Sequence, residues 1–326
     1  MAATANATKS YDLSGGALRE DLRDIIYDIS PMDTIFLTKA GRGTAKSTTH
    51  EWLTDSLTAP AANAQIEGDA FSATARTLPS RLKNYTQIST KQIEVTGTSR
   101  AVDNAGMREI FAYHTARAGK ELKRDMEYAL LNVSSATAGV STSARVASSV
   151  WSWIYDTNHI KLTGQTTVTT TPVASGFAKG TGVASSTSAT AFLVADLNSM
   201  LQQAWSCGGE TDTILCGPLV YNKITTFTGI ATRFRDVGSR QQAQIINSAD
   251  VYVSPYGSHN IVLSRWIPTD CCYALQMDTW EVAYLRNFQT IDIAKVGDAD
   301  RRLLLAEWTL VAKTPTANTK ATNINA

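Results

Sequence analysis

Apolar positions at steps of three and four mark the clearest element of the chain. Met107, Ile110, Phe111, His114, Ala118, Leu122, Met126, Ala129 and Val133 share one face, which predicts a helix over Asp103–Val133 with Asp103 as its cap. The other face carries Lys120, Lys123, Arg124 and Glu127, and Arg117–Glu121 and Lys123–Glu127 stand at the i,i+4 spacing of helical ion pairs. About 31 residues at a rise of about 1.5 Å would span roughly 45 Å, the length of a strut. Leu193, Leu197, Met200, Leu201, Ala204 and Trp205 predict a second helix stopped by Gly208-Gly209. A short buried strand at Thr213–Cys216 and a third helix at Pro218–Phe227 follow, with Gly229 past its end. This strand-helix alternation, extended through the hairpin Val251–Val253 and Ile261–Ser264, reads as an α/β unit.

From Cys271 to Lys313 the pattern is β: Cys272–Leu275, Glu281–Leu285, Thr290–Ile293, a turn at Gly297–Asp300, and a long strand Arg301–Ala312. The tail after Thr314 is polar, so it is expected to fray or to lie on a neighbour. The first hundred residues fit no compact domain. A short apolar stripe, Leu18 to Ile29, ends at Ser30-Pro31; a strand, Thr48–Thr54, then leads into a long excursion of Ala, Asn, Gly and Thr, and a second strand, Tyr85–Val95, leads back. A two-stranded ribbon is marginal in water, so it needs a partner surface. Ser and Thr concentrate between Ser134 and Thr190, which reads as an insertion of short strands and loops pinned to a core by Trp151 and Trp153.

Composition narrows the function classes. The 326 residues are 43% hydrophobic and 18% charged, enough for about two domains with a real core. Thirty basic and 29 acidic side chains leave a formal charge of +1, which argues against strong binding to a polyanion and against an amphipathic membrane binder. No apolar run reaches the roughly 18 residues of a transmembrane helix, and Met1–Ser10 lacks a hydrophobic signal core, so the expected compartment is the cytoplasm. Cys207, Cys216, Cys271 and Cys272 are too few for a disulfide scaffold and lack metal-ligand spacing; buried free thiols are expected.

Tests for catalytic chemistry give little. Gly41-Arg42-Gly43-Thr44-Ala45-Lys46-Ser47 superficially resembles a phosphate loop, but Ala45 stands where glycine is required before the lysine. His50-Glu51-Trp52 would need a second histidine at position 54, which is Thr54, so it reads as a strand. His114 reads as a packed residue on the apolar face of the long helix, and His159 and His259 as residues of polar turns. The G-x-S-x-G elbow of serine hydrolases is absent, and Asp298 and Asp300 read as turn formers before they read as cation ligands. Arg233-Phe234-Arg235 is too brief for a nucleic-acid platform and reads as an exposed interface loop.

Longer stretches carry a specific likeness. Ser30-Pro31-Met32-Asp33-Thr34-Ile35-Phe36, the run from Lys46 to Leu57, Glu67-Gly68-Asp69-Ala70, Val95 to Val102, Gly119 to Asp125, Gln202 to Trp205, Gly229 to Phe234, Asp250 to Ser254 and Ala283 to Asp292 together resemble the major capsid (head) proteins of tailed bacteriophages, in the branch with a Ser-Pro-x-Asp-Thr-x-Phe opening. The resemblance covers nearly the whole chain; the Ser134–Thr190 stretch is its main departure.

That resemblance implies an α+β chain with the tailed-phage and herpesvirus capsid fold. The expected division is an N-terminal arm at 1–47, an extended loop at 48–96, a peripheral domain whose spine helix occupies 97–133, an insertion at 134–190, an axial domain at 191–266, peripheral strands at 267–314 and a tail at 315–326. The implied function is self-assembly of hexamers and pentamers into an icosahedral head around double-stranded DNA, in the host bacterial cytoplasm, with no cofactor, no metal and no membrane. Assembly contacts are expected from His50, Glu51, Trp52, Arg76, Arg81, Lys83, Lys120, Lys123, Arg124, Arg233, Phe234 and Arg235. Implied partners are a separate scaffolding protein, a portal, decoration proteins, and DNA through weak non-specific contact. An encapsulin-like cellular shell of the same fold, and an enzyme with an unrecognised site, are the alternatives.

Overall fold

The computed structural model describes residues 33–68, 76, 78–102, 109–154, 158–160, 162, 176–178, 190–227, 251–295 and 297–325. In chain order the elements are α1 (Ile35–Lys39), β1 (Gly41–Thr44), β2 (Thr49–Thr54), β3 (Ser80–Tyr85), β4 (Gln87–Thr96), α2 (Gly97–Ala101), α3 (Ile110–Leu131), α4 (Val150–Trp153), β5 (His159–Ile160), β6 (Thr190–Ala191) and α5 (Val194–Ser206). They continue with β7 (Thr213–Cys216), α6 (Pro218–Thr225), β8 (Val251–Ser254), β9 (Gly257–Leu263), β10 (Cys272–Leu275), β11 (Trp280–Ile293), β12 (Ala299–Ala312), β13 (Thr319–Ala321) and β14 (Ile324–Asn325).

Two sheets organise these elements. One has the order β1-β11-β12-β4, with β1 parallel to β11 and the other pairs antiparallel. Its centre is the pair β11 and β12, which run together from Trp280↔Ala312 to Ile293↔Arg301. From Leu304 to Ala312 every residue of β12 is buried, as expected of a central strand covered on both faces. The second sheet has the order β5-β13-β10-β7-β9-β8. Alternation along its central strands divides them between two cores. Leu215, Tyr273 and Leu275 join the core of α3 and the four-stranded sheet, whereas Ile214, Cys216, Cys272 and Ala274 join the core beneath α5 and α6.

The long helix is real but shorter than its periodicity predicts: α3 has 22 residues, about 33 Å. Asp103 and Met107 lie outside the described residues, as do the Leu18–Ile29 stripe, Gly229 and Arg233–Arg235. Ile110, Ala118, Leu122 and Met126 are buried as expected, whereas Val133 is exposed past the end of the helix and Leu130, outside the predicted face, is buried. Glu127, assigned to the solvent face, is instead fully buried. Its carboxylate oxygens accept the backbone N–H groups of Phe36 at 2.7 Å and Leu37 at 2.8 Å, so it holds α1 onto the long helix. The first hundred residues are therefore not without a core: Phe36 and Leu37 belong to the main one. Periodicity missed this because an i,i+4 partner for Lys123 and a buried anchor occupy the same helical position.

Three further expectations fail for one reason, namely that sheet pairing joins segments far apart in sequence. The strand returning from the excursion is Ser80–Tyr85, which pairs with Thr49–Thr54, while Gln87–Thr96 belongs to the four-stranded sheet. Cys272–Leu275 pairs with Thr213–Cys216 and Thr319–Ala321, so the six-stranded sheet draws on residues that the expected boundaries at 266 and 314 had separated. The tail does not fray. Lys320 is fully buried, its Nζ donating to the Trp151 carbonyl at 2.8 Å and lying over the Trp151 ring. Asn318 accepts from Trp280 Nε1 at 3.0 Å and from the Gln276 N–H at 2.8 Å. Sparse apolar residues disguise a segment whose polar groups are satisfied one by one inside the core.

The 134–190 stretch enters the core through α4, a helical turn rather than a strand, in which Trp151 and Trp153 are buried. His159 is not in a polar turn. It is buried in β5 against Thr322, and burial, with Lys320 nearby, lowers its pKa to about 3, so the ring is neutral. His259 likewise lies buried in β9, held between the Thr211 carbonyl and Ser254 Oγ, each at 2.7 Å. The hairpin turn ahead of it is closed by Gly257 at a φ of 133°, a conformation that a side chain would strain.

Two outcomes follow. Leu122→Asp should lower unfolding free energy by several kcal/mol, because it removes a buried side chain and leaves an unpaired charge, whereas Lys123→Asp on the exposed side should cost less than about 1 kcal/mol; denaturant titration distinguishes them. For Glu127, burial outweighs the two backbone N–H bonds and raises the pKa from 4.5 to about 7. A carboxyl raised in the folded state contributes stability that is fully present below about pH 4.5 and lost as pH rises through 7, a loss of about 3 kcal/mol. The slope of stability between pH 5 and 8 should flatten in Glu127→Gln; an unchanged slope would place the titration elsewhere.

Candidate assembly surfaces

The ribbon of β2 and β3 forms a two-stranded sheet of its own, and on its outer edge the Lys83 N–H donates to the Gly176 carbonyl at 2.7 Å. Its root is anchored. Trp52, half-buried, donates from Nε1 to the Ala312 carbonyl at 3.0 Å and packs on Trp153 with ring centroids 5.2 Å apart. Asn84 is fully buried and donates to the Leu310 carbonyl at 2.8 Å while accepting the Ser148 N–H at 3.0 Å. Beyond the root, residues 55–68 are exposed throughout and form no helix or strand. On this excursion and its flanks, Leu53, Leu57, Ile66 and Leu78 are 67%, 99%, 78% and 88% exposed. Single leucines in a polar stretch carry no periodicity, so sequence patterning gave them no weight.

The residues expected to make assembly contacts fall into three groups. Glu51 and Arg81 form an exposed cross-strand ion pair at 3.2 Å on the ribbon, and Arg76 is exposed on the excursion. Others are engaged within the chain. Trp52 holds the root, His50 lies 5.9 Å from its ring with a pKa lowered by burial and partly restored by Glu281, and the Lys83 ammonium sits 4.8 Å from the Phe177 ring. Lys120, Lys123 and Arg124 follow one another along α3; the last two stand over Phe288 and Trp266. Arg233, Phe234 and Arg235 lie outside the described residues.

A second surface, absent from the sequence reading, lies on the six-stranded sheet. Its described edge strand β8 pairs on one side with β9 and exposes Val251 and Val253 at 49% and 76%, and Trp205 of α5 is 59% exposed beside Tyr256. Both surfaces present apolar side chains without a reactive group among them.

No catalytic arrangement forms among the described residues. The Ser254–His259 pair is sealed in its hairpin, where Ser254 Oγ also accepts the Tyr256 N–H at 3.1 Å. Burial pushes the Cys216 thiol up to about 12 and raises Cys271 and Cys272 further, so these sulfurs are inert packing groups; Cys207 is half-buried. Asp300 pairs with Arg100 and Lys295 at the turn, and no group of three metal-ligating side chains exists among the described residues. An open cleft of about 260 Å³ between β4 and α3 is lined by Lys91, Glu94, Arg117 and Glu121, each already ion-paired. Gly41–Thr44, the phosphate-loop lookalike, is a strand against β11. No helix among the described residues is long and apolar enough to cross a membrane.

Known proteins resolve the meaning of this arrangement. Residues 3–325 match the SU10 major capsid protein family. The chain is 27% identical over 340 residues to the major capsid protein of Escherichia phage Phieco32, covering 95% of this chain and 94% of that protein. Among solved structures it superposes on a chain of the cyanophage A-1(L) capsid asymmetric unit with a TM-score of 0.69 at 12% identity, covering 97% of this chain and 99% of that one. It also superposes on a chain from the phage G structure of major capsid and decoration proteins, with a TM-score of 0.53 at 9% identity and full coverage of both. These neighbours share the HK97-like capsid fold.

If Trp52 holds the ribbon root within the subunit and Leu57 faces a neighbour, their substitutions should separate. Trp52→Ala should lower the stability of the free subunit by about 2–4 kcal/mol in urea titration, while Leu57→Asp should leave that stability within about 0.5 kcal/mol and still block assembly. The chain belongs to the SU10 major capsid protein family: it is a structural protein of the phage virion, not an enzyme, and it forms the icosahedral shell of the head.

Proposed function

We propose that copies of this chain form hexamers and pentamers, using the β2–β3 ribbon as an arm laid over the adjacent subunit, and close around double-stranded DNA. The observation that carries this reading is the set of four apolar side chains, Leu53, Leu57, Ile66 and Leu78, held 67% to 99% exposed on the ribbon and its excursion. Ordering such a stretch costs about 1–2 kcal/mol per residue, which only burial against a partner can offset. Contacts that repeat from one subunit to the next generate rings when the rotation closes, and many modest contacts made together resist the pressure of packed DNA. A formal charge of +1 suits a wall that contains DNA without gripping it.

Within this reading, the expected names attach to the observed units: the four-stranded sheet with α3 is the peripheral domain and spine, and the six-stranded sheet with α5 and α6 is the axial domain, now with the tail included. Glu51, Arg76 and Arg81 are the charged assembly residues that remain on the ribbon surface, with Arg233, Phe234 and Arg235 as further contacts. The Asp33-Thr34-Ile35-Phe36 stretch supports reading the chain as one of the branch with the Ser-Pro-x-Asp-Thr-x-Phe opening; Phe36 there has a buried ring and a backbone N–H that donates to Glu127. Assembly takes place in the host cytoplasm with scaffolding, portal and decoration proteins as partners; the phage G neighbour contains decoration proteins.

Electron microscopy of purified protein, before and after assembly, tests the proposal. Rings, tubes or closed particles are expected, and a monodisperse monomer under every salt and scaffold condition would overturn it. Limited trypsin treatment should cut the free subunit first after Arg76, on the exposed excursion, and later at Arg81 and Lys83, which sit in a paired strand. Assembled particles should resist at all three.

A further inference from the structure

The joint between ribbon and sheet is a single residue, Thr86, because β3 ends at Tyr85 and β4 begins at Gln87. Thr86 is fully buried, its N–H donating to the Thr48 carbonyl at 2.9 Å, so the joint clasps both strands of the ribbon. Its hydroxyl donates to Glu307 Oε1 at 2.9 Å. Glu307 lies on β12 with its side chain only 4% exposed, and two arginines hold it: Arg145 Nη2 at 2.7 Å from Oε1 and Arg286 Nε at 2.8 Å from Oε2. The three donors come from three parts of the chain: the ribbon joint, the segment after α3, and β11.

Two features give this cluster a role beyond packing. The other bonds at the root, Asn84 to the Leu310 carbonyl, Thr309 to the Tyr85 carbonyl and Trp52 to the Ala312 carbonyl, involve neutral groups that water can replace at modest cost. Glu307 is a charge taken out of water, tolerable only while its partners stay in place. The register of β11 against β12 also shifts on both sides of Arg286, which stands directly opposite Glu307. Bulges of this kind re-aim a side chain, and here the irregularity presents a guanidinium to the carboxylate.

We infer that Glu307, held by Arg145 and Arg286, is a positioning residue that locks the angle at which the β2–β3 ribbon leaves the subunit, and that Arg145, supplied by the segment between α3 and α4, is the bolt whose withdrawal frees the ribbon to swing. The inference rests on reading the ribbon as the arm between subunits. A fixed angle presents Leu53, Leu57 and Leu78 to the neighbour in one pose and so sets the curvature of the assembled array.

Hydrogen exchange on free subunits, followed by microscopy of the assembled products, tests it in the full-length protein with Arg145→Ala, Arg145→Lys and Glu307→Gln. In Arg145→Ala, amide exchange over residues 80–88 should rise about tenfold while α3 and β10 stay protected, and the particles should lose uniform diameter. Arg145→Lys should recover much of both. Glu307→Gln should behave as Arg145→Ala, and if it fails to fold the arginine pair decides alone. Exchange over 80–88 within twofold of the parent protein in Arg145→Ala would overturn the lock, and so would a rise spread evenly over the subunit, which would make the cluster ordinary structural support. Failure of the unsubstituted protein to form any shell would refute the arm reading instead, while the localised exchange result would still judge the lock.

Discussion

The pairing of β11 with β12 is the interaction on which the other elements depend. The two strands have 14 residues each, and every other part of the four-stranded sheet is hung on one of them: β1 on β11, β4 on β12. Burial from Leu304 to Ala312 on both faces lets α3 pack on one side while the ribbon root and the segment after α3 close the other. Four positions of β12, Glu307, Thr309, Leu310 and Ala312, receive or make the polar bonds that fix the ribbon root. The body therefore forms a socket around the ribbon root, where Leu82 of β3 lies in the main core and Trp52 of β2 packs against it, and anchorage there gives the exposed end of the ribbon a defined direction.

What the sequence disclosed follows the range of the signals it carries. Helical periodicity found α3 and α5, since each depends on residues three and four apart; a proline start and a glycine stop found α6, and short apolar runs found β7, β10 and most of β11 and β12. The excursion was legible because a long stretch with few large apolar residues cannot bury itself. Non-local pairing was not legible. Thr319–Ala321 completes a sheet begun more than a hundred residues earlier, and nothing within a few residues of Lys320 announces that its ammonium will be buried over Trp151. The exposed Leu57 and Ile66 were invisible for a complementary reason: patterning scores residues by their neighbours along the chain, and theirs are polar or small.

Charge placement shows the same division. Glu127 and Glu307 look in sequence like two more of the 29 acidic side chains, yet both are buried and both join separate segments. Their environments differ in kind. Glu127 accepts backbone N–H groups and lacks a cationic partner in contact, so burial dominates and its pKa rises to about 7. Glu307 has two guanidiniums and a hydroxyl. One therefore joins α1 to the long helix through a group that titrates near neutrality, and the other holds the ribbon root through two guanidiniums and a hydroxyl.

A shell subunit must satisfy two demands that conflict in an ordinary globular protein. It has to fold alone, which requires apolar burial, and it has to keep enough apolar surface unburied to be driven into association. This chain separates the two in space. The buried tryptophans, Trp151, Trp153, Trp280 and Trp308, sit in the body, while the three most exposed large apolar side chains among the described residues, Leu57, Leu78 and Ile66, sit on the excursion. If association draws on the ribbon as proposed, its strength can change by substitution there without eroding the stability of about 5–15 kcal/mol that a domain of this kind commands. The reverse does not hold: any change that loosens the socket alters both, since the ribbon is useful only in the pose that the socket imposes.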